Sequence, residues 1–146
     1  MKPLLRILTI SKSDLAIILR AFFILNFVRL GLFLLPFSVL QKLLYRASHL
    51  SRSAKSRDCH IAIKKIVWAV NVSSRYTPGL VKCLARALTT QTLMKFCGYS
   101  PQLQIGVIKA DDGIQAHAWI EHEGQVVIGN LSNLNTFVPM QLVKGN

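Results

Sequence analysis

Cys83 and His117 are the side chains in this sequence whose type and setting suit nucleophilic catalysis. Cys83 follows the break Thr77-Pro78-Gly79 and opens the run Cys83-Leu84-Ala85-Arg86-Ala87-Leu88. That spacing predicts a helix from about Leu80 to Phe96, stopped by Gly98. A cysteine in the first turn of such a helix meets free backbone N–H groups and the positive end of the dipole, which stabilise a thiolate. His117 sits between Ala116 and Ala118 in an alternating segment, so its neighbours leave a small-walled, partly buried setting. A thiolate, an imidazole and a third group that orients the imidazole are the parts a cysteine hydrolase needs. Asn130, thirteen residues after His117 and across a tight turn, is the candidate for the third part; Asp111 and Asp112 are its rivals. This chemistry calls for no metal and no cofactor.

The elements around these residues read as a helix followed by an antiparallel meander. Gln102–Ile108 alternates with period two, and Ala110-Asp111-Asp112-Gly113 has the composition of a hairpin turn. Ile114–Glu121 alternates again, His122-Glu123-Gly124 turns, and Gln125–Gly129 forms a third strand. Alternation puts Ala116, Ala118 and Ile120 on one face, and His117, Trp119 and Glu121 on the other. Arg86 is expected to pair with Glu121, and Trp119 either walls the site or packs beneath it.

The first half is different. Residues 1–12 are basic and apolar, Ser13-Asp14 offers a helix cap, and Leu15–Leu35 is almost continuously apolar up to Pro36. Arg20 and Arg29 interrupt that run about 180° apart on a helix. This disfavours a signal peptide or a membrane span and favours a helix buried on much of its circumference, with contact at a membrane surface as the alternative. Phe37–Ala47 has helical spacing with Ser38 at its start, residues 48–57 read as a linker, and Asp58–Val72 reads as a helix with Trp68 packed. Residues 1–50 thus form a hydrophobic, basic helical region and residues 51–146 the domain that carries the chemistry. The fold class is α+β.

Charge divides the chain the same way. Residues 1–82 hold fourteen Lys and Arg against Asp14 and Asp58, whereas residues 83–146 hold four basic and four acidic residues. The whole carries a formal charge of +12, with 51% hydrophobic and 16% charged residues, a composition that excludes intrinsic disorder. Arg52, Lys55, Arg57, Lys64 and Lys65 make a loose positive patch. No aromatic residue interleaves with them to stack bases, which argues against a nucleic-acid partner. An odd cysteine count without metal-ligand spacing argues against a disulfide framework or a zinc ribbon. Cys59 and Cys97 are read as buried bystanders, and His49, His60 and His122 as surface residues.

Cys83-Leu84-x-Arg86-Ala87-Leu88, Ile105-Gly106-Val107, and Ala116-His117-Ala118-Trp119-Ile120-Glu121 with Gly124 together resemble the lasso-peptide biosynthesis leader peptidases. These are the transglutaminase-like protease halves of split B proteins. The hydrophobic segment leading into Leu34-Leu35-Pro36-Phe37 suits the same family. The resemblance implies N-terminal helices followed by a transglutaminase/papain-like core. It implies a cytoplasmic cysteine peptidase that removes the leader from a ribosomally made precursor before macrolactam closure. The implied partners are the precursor peptide, a separate leader-recognition protein and an ATP-dependent macrolactam cyclase. Cys83 is then the nucleophile and His117 the general base and acid. Family members commonly place an aspartate third, and Asn130 departs from that pattern. A transglutaminase-like acyltransferase, or a non-enzymatic scaffold docking on a cyclase or membrane through residues 13–47, remain the competing readings.

Overall fold

The computed structural model describes residues 11–55, 61–77 and 83–139. Among them run four helices, α1 (Lys12–Leu34), α2 (Phe37–Lys55), α3 (Ile63–Tyr76) and α4 (Cys83–Phe96). Strands β1 (Gln102–Ala110), β2 (Gly113–His122), β3 (Gln125–Ile128) and β4 (Val138–Pro139) follow, with a 3-10 turn at Leu134–Thr136 before β4. The fold is α+β, as the alternation of the second half implies. Residues 1–10, Asp58, Cys59, the Pro78-Gly79 break and the expected helix start at Leu80 lie outside the described residues.

Ser11 caps α1 by accepting a hydrogen bond from the Asp14 amide at 3.2 Å. The expected cap at Ser13-Asp14 lies two residues too late, because the helix already includes Lys12 and Ser13. Asp14 stands at the positive end of the helix and pairs with Lys65, tying α1 to α3. Ser73 of α3 adds a second tie, donating to the Ile18 carbonyl at 3.1 Å. One face of α1, carrying Ile17, Ala21, Leu25, Val28 and Gly31, is buried, and the helix packs on α3 and α4. The opposite face is open, so α1 is buried along one face rather than on much of its circumference.

The expected linker at residues 48–57 is helical through Lys55. Its serines do not end the helix, and Ser48 is buried with its hydroxyl donating to the Tyr45 carbonyl at 2.8 Å. Trp68, expected to pack, is 39% exposed. Buried residues of α1 and α2 share one continuous hydrophobic cluster with those of α3, α4, β1, β2 and β3.

At the centre of that cluster is α4. It packs on all three other helices and on β1 and β2, and it buries Ala85, Ala87, Leu88, Thr89, Thr90, Thr92, Leu93 and Met94. Buried hydroxyls are tolerated there because each donates to the carbonyl four residues back. Thr89 bonds Ala85 at 2.7 Å, Thr90 bonds Arg86 at 2.9 Å, and Thr92 bonds Leu88 at 2.8 Å.

The sheet order is β3-β2-β1-β4, antiparallel throughout. Asp111 and Asp112 form the two-residue turn between β1 and β2, with Ala110 opposite Gly113. Glu123 and Gly124 turn β2 into β3 with φ of 51° and 77°, the left-handed pair that a tight hairpin needs. A bulge between Ile120 and Glu121 shifts the β2–β3 register.

Candidate active site

His117 lies mid-way along β2, directly opposite Gly106 of β1. Its ring is held on three sides. The Nε2 atom is 2.6 Å from the Gly129 carbonyl oxygen. That oxygen can only accept, so Nε2 carries the proton and the Nδ1 lone pair is left as an acceptor. The Trp119 ring stacks at 6.2 Å with an 18° interplanar angle, and the Phe137 ring lies at 5.9 Å. Trp119 is buried at 4% exposure and donates from Nε1 to Glu121 at 2.9 Å, so it walls the histidine.

Two glycines make this packing fit. A Cβ on Gly106 would come within 2.9 Å of Phe137 Cβ and of the Trp119 ring. The missing side chain opposite His117 is therefore the space into which both aromatic rings lean. Gly129 has φ +84°, and a Cβ there would meet the Ala118 carbonyl at 2.8 Å. Only glycine brings its carbonyl to the histidine in that conformation without strain.

Cys83 begins the described part of α4, partly buried against the core, with a free thiol. Its helix packs against β2 through the face that carries Ala118 and Ile120, whereas His117 lies on the other face of the strand with Trp119. Among the described residues, no hydrogen bond joins the Cys83 thiol to the His117 ring. Asn130, expected to orient the ring, is exposed, and the Nε2 contact goes instead to the carbonyl of the preceding residue. Asp111 and Asp112 are exposed at the hairpin tip. His117 lies four residues along β2 from Gly113, about 13 Å away at strand rise, so neither aspartate reaches the ring.

Arg86 does not pair with Glu121. Its guanidinium donates to Asn71 of α3, while Glu121 is held by Trp119; a helix-to-helix contact has replaced the expected helix-to-strand one. His122 is partly buried, with its ring edge-on to Tyr99 at 5.6 Å, and is not a plain surface residue. Cys97, read as a buried bystander, is partly buried against the core and disulfide-bonded, while Cys83 stays free.

A groove of about 510 Å³ runs beside this site, lined in part by Trp119, Glu121, Leu134, Asn135 and Phe137. The two rings that flank His117 thus also form the groove wall. A second cavity of about 500 Å³ lies between α2 and α4, lined in part by Lys42, Tyr45, Arg46 and Lys95. Burial pushes the Lys95 ammonium below the ordinary lysine range. Neither Cys83 nor His117 is among the described residues that line either cavity. Among the described residues, no group of three or more His, Cys, Asp or Glu side chains gathers to hold a metal ion.

Reasoning from sequence missed three parts of the site. Gly106 carried a signal, because glycine inside a strand marks a close approach. Gly129 read only as a strand end. Phe137 lay in an asparagine-rich stretch without periodicity and gave no signal. The family model described as the transglutaminase-like superfamily matches residues 28–142. No curated protein and no solved structure matches the chain.

Proposed function

From the premise that this chain belongs to the transglutaminase-like superfamily, we propose that it is a cysteine peptidase acting on a peptide amide. Its nucleophile is Cys83 and its general base and acid is His117. The observation that carries this reading is the state of the His117 ring. With Nε2 donating to Gly129, Nδ1 is the basic atom, on a strand packed against the helix that bears the free thiol. The reading requires the Cys83 thiol and the His117 ring to meet in the substrate complex, where catalytic hydrogen bonds that are long in the free enzyme tighten.

The steps follow from these groups. Nδ1 takes the thiol proton, and the thiolate attacks the scissile carbonyl. Backbone N–H groups at the N-terminal end of the Cys83 helix stabilise the oxyanion. The imidazolium then protonates the leaving amine, and water, activated by the same ring, hydrolyses the thioester. The Gly129 carbonyl orients the ring, the role first given to Asn130. As a neutral acceptor it offsets less imidazolium charge than a carboxylate does.

The substrate that the sequence resemblance favours is the leader–core junction of a lasso-peptide precursor, with the groove along Trp119 and Phe137 receiving the chain. A leader-recognition protein and the macrolactam cyclase are the proposed partners. The cytoplasm is the proposed compartment.

Incubating precursor with the wild-type chain, Cys83→Ala and His117→Ala, with the recognition protein present, tests the reading by product mass. Cleavage by the wild type alone supports it, and cleavage by either folded variant overturns it. Product carrying an added amine in place of water would assign the acyltransfer reading.

A further inference from the structure

We infer that α1 is an in-plane docking element for an anionic membrane surface, through the face that the fold leaves open. Of its side chains, Phe23 is 69%, Phe27 54%, Leu30 57% and Phe33 86% exposed. Leu15, Leu19 and Leu34 are exposed beside them. With Ile17 as zero and 100° per residue, these seven fall between about 160° and 280° on the helix wheel. The buried residues cluster around about 20°, so the open strip lies opposite the packed face and runs about 29 Å along the helix.

The two arginines that interrupt the apolar run flank this strip. Arg29 falls at about 120° and Arg20 at about 300°, one on each border. This is the arrangement of an interfacial helix, in which apolar side chains enter the acyl boundary and long cationic ones reach the headgroups. Lys12 adds a positive charge at the N-terminal end. Between residues 12 and 55 the sequence has one acidic residue, Asp14, and it is taken up by Lys65.

The helix is long and apolar enough to cross a bilayer by length and composition. Spanning would strip Ile17, Ala21, Leu25 and Val28 from α3 and α4 and open the core, so an in-plane position is the one this packing allows. A second copy of the chain fits less well. It would bring like-charged arginine borders together on a protein of charge +12. The strip is also a convex ridge on a helix, which a fluid lipid surface covers without a matching groove.

Flotation of the full chain with vesicles tests this. Phosphatidylcholine containing about 30% phosphatidylglycerol should carry the chain upward at low salt, and high salt should weaken the binding. Two arginines near an anionic surface are worth about thirtyfold in binding, so Arg20→Glu with Arg29→Glu should lose at least that much. Phe23→Ser with Phe27→Ser should abolish flotation while the melting temperature and the rate of Cys83 alkylation stay at the wild-type level. Three outcomes overturn the inference: a wild-type chain that stays unbound to anionic vesicles, a serine variant that floats as well as wild type, or a strip-dependent dimer that does not float. Cleavage assays on the same variants in detergent-free solution read the peptidase separately, since no residue of the strip belongs to the active site.

Discussion

Helices α1 and α4 exchange the roles their compositions suggest. By sequence α1 is the more apolar, yet half of it faces outward. By contrast α4 carries Thr89, Thr90, Gln91 and Thr92, yet it is packed on every side. Burial here follows position in the layers: α4 lies between the other helices and the sheet, and α1 forms an outer wall. The difference teaches that a buried helix can carry hydroxyls if its own carbonyls accept them. It also teaches that an exposed apolar face is a surface awaiting a partner.

Substitutions should break this comparison in order of size. Leu88→Ala in α4 and Leu25→Ala on the packed face of α1 should each cost about 2–5 kcal/mol in denaturant unfolding. Phe27→Ala, only two positions from Leu25, should stay within about 0.5 kcal/mol. Equal losses at Leu25 and Phe27 would mean that α1 is covered on both sides. Gly129→Ala should cost about 1–3 kcal/mol from strained backbone, and it should also lower peptidase activity by moving the carbonyl from His117. If stability falls with activity unchanged, that carbonyl does not orient the ring.

Smaller effects sharpen the picture. Thr89→Val should change stability by no more than about 1 kcal/mol, because its hydroxyl bonds within its own helix. The Asp14–Lys65 pair should appear only as a pH effect. Lys65 holds the Asp14 carboxyl below its ordinary value of 3.8, so the contribution is present above that pH and disappears as pH falls through the lowered value. Thermal melts should therefore separate wild type from Asp14→Asn at pH 6 and bring them together in strong acid.

The parts of the molecule that were legible in sequence are those with strict periodicity. The β-meander reads directly, because alternation and the Asp111-Asp112 and Glu123-Gly124 turns fix its register locally. Cys83 and His117 stood out because their immediate neighbours carry the signal. Other features depend on contacts between distant segments. Asn71 captures Arg86 across two helices, Phe137 reaches back over Gly106, and the serine-rich residues 48–55 stay helical with Ser48 buried in place. The exposed face of α1 was hidden for a different reason: an all-apolar helix has no periodicity to show which side is packed.

The central claim is that His117 activates Cys83. The most direct test is the rate of iodoacetamide modification of Cys83 at neutral pH, followed by mass spectrometry in the wild type and in His117→Ala. A proton-accepting ring at catalytic range predicts a loss on the order of a hundredfold in the variant, with the fold intact. Equal rates in the two proteins would mean that the thiol and the ring act independently, and the peptidase reading would fail.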